Sequence, residues 1–217
     1  MAYRWFGTAL FTSLFTITLL AGTAGAQAAE HITFGAGAGF SVPAERAGND
    51  LDTGWNLDFR GGYRASRYLA LDLDFNYNRW NLNNAALARF GEPGGYTSIW
   101  SLSFVPVFRA ANRSHVAPYF FGGPGLYYRN LSLTQPSTVN SVFCDPFFGF
   151  CYPATFGVTQ VVASSTTYKG GVNVGGGLDF RLGQGRTKIF GEARYSRMFT
   201  SHGEDITFVP VTFGLRW

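Results

Sequence analysis

Ser201, His202 and Glu204 are the residues whose types best fit nucleophilic catalysis, because hydrolases combine a hydroxyl nucleophile, an imidazole base and a carboxylate. Ser201 and His202 are neighbours in the short segment TSHGE. Adjacent side chains on a turn do not easily meet as nucleophile and base. We interpret this segment as a solvated loop and predict no catalytic residue and no enzymatic activity.

Metal and phosphate chemistry are also disfavoured. The histidines are His31, His115 and His202, and none lies at a metal-ligand spacing from another histidine, a cysteine or an acid. The glycine-rich run GGVNVGGG lies within a strand pattern rather than between a strand and a helix, as a phosphate loop requires. We predict neither a metal site nor a cofactor.

The first 28 residues have the pattern of a cleaved secretory signal peptide. Arg4 supplies the positive region, Trp5 to Leu20 the apolar region, and Ala26-Gln27-Ala28 the cleavage site. A transmembrane anchor is the alternative, but the apolar run is short and rich in threonine. We predict a signal peptide at 1–28 and one mature domain at 29–217.

Cys144 and Cys151 flank the segment DPFFGF. In an exported protein such a pair predicts a disulfide, which contributes about 2.5 kcal/mol in the chain-entropy model. A redox or metal pair is the alternative, but it would favour a C-x-x-C spacing and a nearby histidine.

The composition favours a surface that meets something other than water. Charged residues make up only 14% and aromatic residues 18% of the 217, while mean hydropathy is just +0.02. Alternation of apolar and polar residues gives such an average. The positive charges are scattered rather than clustered, so no nucleic acid partner is expected.

A period of two in hydrophobicity predicts eight strands. They cover His31–Val42, Gly54–Arg64, Leu69–Leu82, Tyr96–Ala110, Val116–Leu133, Thr167–Leu182, Thr187–Phe199 and Asp205–Trp217. Short turns alternate with longer loops, of which 134–166 is the longest. The facing of the strand at 116–133 is ambiguous, and Pro124 predicts a bulge or bend there.

The last strand, DITFVPVTFGLRW, has an apolar row from Thr207 to Trp217 on one face, which suits a lipid-facing strand. With PYFFGGPG (118–125), GVNVGGGLDF (171–180) and GEARY (191–195), it resembles small eight-stranded outer-membrane β-barrels of the OmpA, OmpX and OmpW type. The resemblance implies an all-β, closed, antiparallel, up-and-down transmembrane barrel in the bacterial outer membrane.

The resemblance also implies partners. Outer-membrane lipid would surround the barrel, and the barrel-assembly machinery would recognise the C-terminal strand ending in Trp217. Long external loops could bind an extracellular partner. We expect no peptidoglycan-binding domain of the kind that OmpA carries after its barrel. A soluble lipocalin-like barrel is the structural alternative, with its apolar face inward.

The inward face of the predicted barrel collects both signs of charge. An eight-stranded interior is just wide enough for side chains to fill, and unpaired ions are costly there. We predict a lumen plugged by paired charges from Asp58, Arg60, Asp72, Asp74, Arg109, Asp179, Arg181, Glu192 and Arg194. A gated solute path is the alternative.

The cysteine loop is the predicted contact surface, because exposed aromatic residues bind partners. Its aromatic residues are Phe143, Phe147, Phe148, Phe150 and Tyr152. The alternative is that they pack on the barrel rim. We expect a structural or adhesin-like role; a channel for small or apolar solutes is the alternative. A lipid hydrolase is disfavoured. The lipid A deacylases among the barrels that this chain resembles have a His-x-Ser arrangement, which this chain lacks.

Overall fold

A computed structural model describes residues 31–110, 115–182, 187–201, 203 and 205–217. The predicted signal peptide lies outside these ranges, as do His202 and Glu204 of the catalytic candidate. None of the helices within the described ranges is long and apolar enough to cross a membrane.

Eight antiparallel strands close into a barrel in which each strand pairs with its neighbours in sequence and the first pairs with the last. This confirms the predicted fold class. The strands are β1 (Ile32–Ala44), β2 (Gly54–Arg64), β3 (Leu69–Asn81), β4 (Gly94–Arg109), β5 (Val116–Cys144), β6 (Cys151–Arg181), β7 (Lys188–Met198) and β8 (Ile206–Arg216).

Polar side chains fill the interior and apolar side chains cover the outside. On β3, Asp72 and Asp74 are buried, whereas Leu73 between them is 57% exposed. The same alternation runs along β2, where Asp58 is buried and Phe59 is exposed. A lipocalin-like barrel would have the opposite arrangement, so that alternative is wrong.

Glycines allow the strands to approach closely at the β1–β8 seam. A Cβ atom on Gly39 would lie 1.9 Å from the carbonyl oxygen of Val211, and one on Gly214 would lie 2.1 Å from that of Ala36. No side chain fits at such distances, so the seam requires glycine at both positions.

Two short helices interrupt loops that the sequence predicted to be irregular. A 3₁₀ helix spans Glu45–Asn49, and α1 spans Asn84–Phe90, between the strands predicted at Leu69–Leu82 and Tyr96–Ala110. The side chain of Asn83 caps α1 by accepting a hydrogen bond from the Ala86 N–H at 2.9 Å. Gly91, with φ of 69°, ends the helix in the left-handed conformation.

The prediction of a long loop at 134–166 is wrong. β5 and β6 continue as a paired hairpin from Thr134↔Val161 to Cys144↔Cys151. We call residues 134–161 the ribbon. Its ladder extends about 35 Å, at about 3.4 Å per residue. Nearly every residue in it is exposed, because both of its faces lie away from the barrel.

The structure shows which side chains of β5 point into the barrel and which point outward. Tyr119, Phe121 and Tyr127 point into the barrel, and Phe120 and Leu126 point outward. At Pro124 the register does not shift. Instead, the pairing with β4 stops at Ser103↔Gly125 and resumes at Val107↔Phe121. The register shift in β5 lies at Leu133/Thr134, where the ribbon begins.

Candidate functional site

Arg194 on β7 is the centre of an ion cluster across the middle of the barrel. Its Nη1 lies 2.5 Å from Asp74 Oδ1, and its Nη2 lies 3.0 Å from both Asp58 Oδ1 and Glu192 Oε1. The guanidinium group therefore joins β2, β3 and β7 across the lumen. Its side chain is 3% exposed, so these contacts are dry.

Arg60 on β2 completes the central cluster. Its Nε donates to Asp74 Oδ2 at 2.9 Å and its Nη2 to Glu192 Oε1 at 2.7 Å. Tyr119 donates its hydroxyl to Glu192 Oε2 at 2.8 Å. The Arg60 guanidinium also lies 5.0 Å from the centre of the Phe121 ring. Each charge of this central cluster thus faces opposite charge or a ring, as its desolvation requires.

A second group of charges lies closer to the short turns. Asp179 on β6 accepts a hydrogen bond from Arg216 Nη1 at 2.6 Å. Arg109 Nε and Lys188 Nζ lie 3.7 and 3.6 Å from its other oxygen. Arg216 reaches back to within 3.9 Å of Glu192 and so links the two groups.

Two of the predicted network residues make no ion pair with any described residue. Asp72 is buried, but its side chain points at the backbone of Gly62. Arg181 is exposed at the end of β6, where water reaches the guanidinium group. The other seven predicted residues are brought together as described above.

Sequence reasoning missed Tyr119 and Phe121, which contact the cluster from β5. The run Gly122-Gly123-Pro124-Gly125 hides the alternation of this strand, because four residues in a row carry no informative side chain. Counting parity backward from Leu126 and Tyr127 would not have resolved the facing, since both residues are apolar. Lys188 was also missed, as it begins its strand.

Apolar side chains close the lumen beyond the ions at the end where the ribbon begins. Trp80, Ile99, Tyr127, Met198 and Phe208 form one buried cluster. The indole N–H of Trp80 donates to the Ser41 carbonyl at 3.0 Å, and its ring packs edge-on against Phe208 at 5.1 Å. Ions and aromatic rings together leave the middle of the barrel filled.

An open cavity of about 350 Å³ lies above this cluster, next to α1 and the 3₁₀ helix. Its walls include Leu51, Leu82, Phe90 and Leu131, with the guanidinium of Arg129 among them. Arg129 Nε donates to Thr97 Oγ1 at 3.4 Å. Arg46, Asp50 and Asp205 also line it, so the cavity combines apolar walls with charges of both signs.

The tip of the ribbon presents three unpacked aromatic side chains. Phe147, Phe148 and Phe150 are 90%, 74% and 70% exposed, so they do not pack on the barrel rim. Phe143 and Tyr152 instead pack on each other, with ring centres 5.5 Å apart. The predicted disulfide between Cys144 and Cys151 is present and closes the base of the tip.

Asp145 shapes the tip from within. Its Oδ1 accepts hydrogen bonds from the N–H groups of Phe147 at 2.8 Å and Phe148 at 3.1 Å. Gly149 has a φ of 68°, a conformation that glycine adopts without strain. The aromatic side chains are thus held outward by a defined turn.

Only Ser201 of the catalytic candidate can be placed, and its Oγ accepts a hydrogen bond from Lys169 Nζ. In the described part of the chain, no three histidine, cysteine or acidic residues cluster in a way that could hold a metal.

Comparison with known proteins identifies the family. Residues 14–217 match the family model described as outer membrane protein beta-barrel domain. The chain belongs to this outer-membrane β-barrel family. A search of curated proteins finds no match.

The chain is similar to several solved outer-membrane barrels. The crystal structure of Neisserial surface protein A is 14% identical, with a TM-score of 0.56, over 85% of this chain and 95% of that one. A major outer membrane protein from Thermus thermophilus is 10% identical, with a TM-score of 0.52, over 86% and 98%. Ail of Yersinia pestis, in complex with the heparin analogue sucrose octasulfate, is 18% identical, with a TM-score of 0.44, over 86% and 98%.

Membership of the outer-membrane barrel family gives the location and the orientation. The protein lies in the bacterial outer membrane, and its outward apolar side chains contact lipid. In such barrels the short turns face the periplasm and the longer loops face outside. The short connections follow β2, β4 and β6. This end, with Trp217, therefore faces the periplasm, and the ribbon projects outside.

Proposed function

We propose that this outer-membrane barrel is a non-conducting protein that acts at the cell surface through the tip of the ribbon. The observation that carries the proposal is the set of exposed phenylalanines at 147, 148 and 150, held about 35 Å from the start of the ribbon. A side chain of this size contributes about 1.5–3 kcal/mol when a partner buries it fully.

The lumen supports a non-conducting role. Its central layer is occupied by guanidinium and carboxylate groups that pair with one another, with Trp80 and Phe208 packed above them. A hydrated ion would have to displace these contacts in order to pass. The carboxylates are also engaged by arginines, which favours a structural rather than a catalytic use.

The ribbon is suited to present a contact surface. A hairpin of two strands is marginally stable in water when nothing packs on it. Here the disulfide joins the strands at the far end, and the ladder is continuous with the barrel wall at the near end. The ribbon that carries the tip is therefore held at both of its ends. This restraint lowers the conformational entropy that the tip loses on binding.

The test replaces Phe147, Phe148 and Phe150 together with serine in the full chain. Bacteria that express the unaltered protein should attach to a hydrocarbon-coated surface and to cultured animal cells more than bacteria without the protein do. We expect the variant to lose most of this increase. The matched control is Val139→Ser with Val158→Ser, which removes exposed apolar groups from the ribbon but not from its tip. Equal attachment by the tip variant and the unaltered protein would overturn the proposal.

A second candidate function is passage of a small apolar solute, favoured by the cavity above the aromatic cluster. Such a solute would contact Leu51, Phe90 and Leu131 and then need a lateral exit, because the ion cluster lies beneath. Uptake of an apolar tracer by liposomes that contain the barrel would support this function. Uptake that Leu131→Arg does not change would count against it.

A further inference from the structure

The periplasmic mouth of the barrel is an open cavity of about 630 Å³. Basic side chains dominate its walls: Arg64, Arg67, Arg109, Arg181 and Lys188, with His31 at the edge. They come from β2, β4, β6 and β7 and the turn after β2, so the folded barrel brings them together. No acidic residue lines this cavity in the described part of the chain.

The acids beneath the cavity do not balance these charges. Asp179 is the nearest acid, and its Oδ1 is already bound to Arg216 at 2.6 Å. Its Oδ2 is left to Arg109 and Lys188, at 3.7 and 3.6 Å. Asp72 pairs with none of the cations that the structure describes. Arg64, Arg67 and Arg181 likewise have no ion-pair partner among the described residues.

Arg109 gives a second, independent indication of a ligand. Its side chain is only 9% exposed, yet Nε and Nη2 are buried and have no hydrogen-bond partner among the residues that the structure describes. Leaving a buried charged donor without a partner is costly. Arg109 also lines the cavity, so an anion bound there would lie beside a guanidinium group whose hydrogen-bonding capacity the described residues do not fill.

We propose that the periplasmic mouth binds a phosphate-type oxyanion. A phosphate group offers several acceptor oxygens and matches the planar fork of arginine. Arg109 would hold it from below, and Arg64, Arg181 and Lys188 from the sides. This site is separate from the surface contact proposed for the ribbon, and either can fail without the other.

The anion could be soluble phosphate in the periplasm or the headgroup of an anionic phospholipid. Tyr63 and Tyr68 are exposed at this rim, and Tyr68 also lines the cavity. Tyrosines of outer-membrane barrels lie at the level of the headgroups. The mouth is therefore close enough to the inner leaflet for either source.

The test has two arms, both on the full folded chain. In the first, inorganic phosphate is titrated by calorimetry into barrels held in phosphatidylcholine nanodiscs. In the second, native mass spectrometry measures whether detergent-solubilised barrels retain phosphatidylglycerol over phosphatidylcholine. Arg64→Gln with Arg181→Gln removes two cations from the site. Arg46→Gln with Arg79→Gln removes two cations near the opposite mouth as the matched control.

We expect saturable binding in at least one arm, weakened about tenfold or more by Arg64→Gln with Arg181→Gln, because charge-assisted hydrogen bonds are lost. The arm that shows it identifies the source. Arg67→Gln, on an exposed turn, should weaken binding less and leaves the barrel wall unaltered. Gel mobility before and after boiling verifies folding. No selective binding in either arm, or equal weakening by the control, would overturn the proposal.

Discussion

Arg194 touches three carboxylates and is nearly inaccessible to water, so its replacement tests the central cluster directly. We expect Arg194→Ala to lower the free energy of unfolding by about 3–5 kcal/mol, because buried carboxylates lose their partner. We also expect the unaltered barrel to show no ion conductance in planar bilayers, because the ion cluster and the aromatic cluster above it both fill the lumen.

Arg197→Ala is the matched control on the same strand. Arg197 pairs with Asp205 at 2.8 Å, but its side chain is exposed, so the effect on stability should be far smaller than that of Arg194→Ala. A stable pore in the unaltered protein that Arg194→Ala leaves unchanged would contradict the plugged lumen.

Leu73 tests the outward face. We expect Leu73→Arg to destabilise the barrel in lipid by about 2–4 kcal/mol near the bilayer midplane. Tyr63→Arg, at the periplasmic rim, should cost about 0–1 kcal/mol. Asp72→Arg should act instead through the lumen charges. Denaturant unfolding in lipid vesicles would measure all three, and equal effects of Leu73→Arg and Tyr63→Arg would contradict the proposed depth.

Asp205, in the loop before β8, gives a local pH dependence. The Thr200 N–H, which donates to Asp205 Oδ1 at 3.0 Å, and then Arg197 hold the pKa of Asp205 below its ordinary value. The stabilisation that comes with a depressed pKa is present above the unfolded pKa of about 4 and is lost as pH falls through the folded value.

We therefore expect the hydrogen-exchange protection of the Thr200 amide to decrease once the pH is lower than about 4. Asp205→Asn should lower this protection at neutral pH and remove its pH dependence. Asp52→Asn, in a different loop, should leave it unchanged. Protection at neutral pH that Asp205→Asn leaves unchanged would show that the Asp205 contact does not hold the loop.

At the scale of single elements, the β1–β8 seam is the sharpest test of packing. We expect Gly39→Val to prevent closure or to cost at least about 1–3 kcal/mol, because its Cβ would meet the Val211 carbonyl at 1.9 Å. In Gly61→Val the nearest atom is a Phe34 ring carbon at 3.7 Å, so this barrel should still close. The mobility shift on gels before boiling distinguishes the two outcomes.

β2 and β3 could be predicted from the sequence to within a residue, because lipid outside and ions inside impose strict alternation. The ribbon could not be predicted from the sequence. Both of its faces meet water, so no core selects a facing and the segment resembles a loop rich in serine and threonine. α1 was missed for a different reason: asparagines and glycines around it suggested a loop, although Asn83 and Gly91 are its caps.

The sequence predicts most of the residues that belong to the ion cluster, but not which of them contact one another. Parity places Asp58, Asp74, Glu192 and Arg194 inside, yet the distances depend on the stagger between strands. That stagger also places Arg181 in solvent and Asp72 against Gly62, which alternation alone cannot reveal.

At the scale of the whole molecule, closure joins the two ends of the described chain. The Trp217 N–H donates to the Phe34 carbonyl at 2.9 Å, and the Phe34 N–H donates to the Trp217 carbonyl at 2.9 Å. We propose that the assembly machinery recognises β8 before this pairing forms. Trp217→Ala should then reduce barrel yield in cells while refolding into detergent stays normal. Equal loss in both settings would indicate a folding defect instead.

Two of the three carboxylate partners of Arg194 are remote along the chain: 120 residues separate it from Asp74 and 136 from Asp58. Contacts of such high order form late and slow the folding reaction, because each must first close a long loop. We therefore expect the Arg194 guanidinium group to keep its hydration until the cylinder closes. Dehydration of the interior and completion of the wall then become one concerted step, without a dry, half-assembled intermediate.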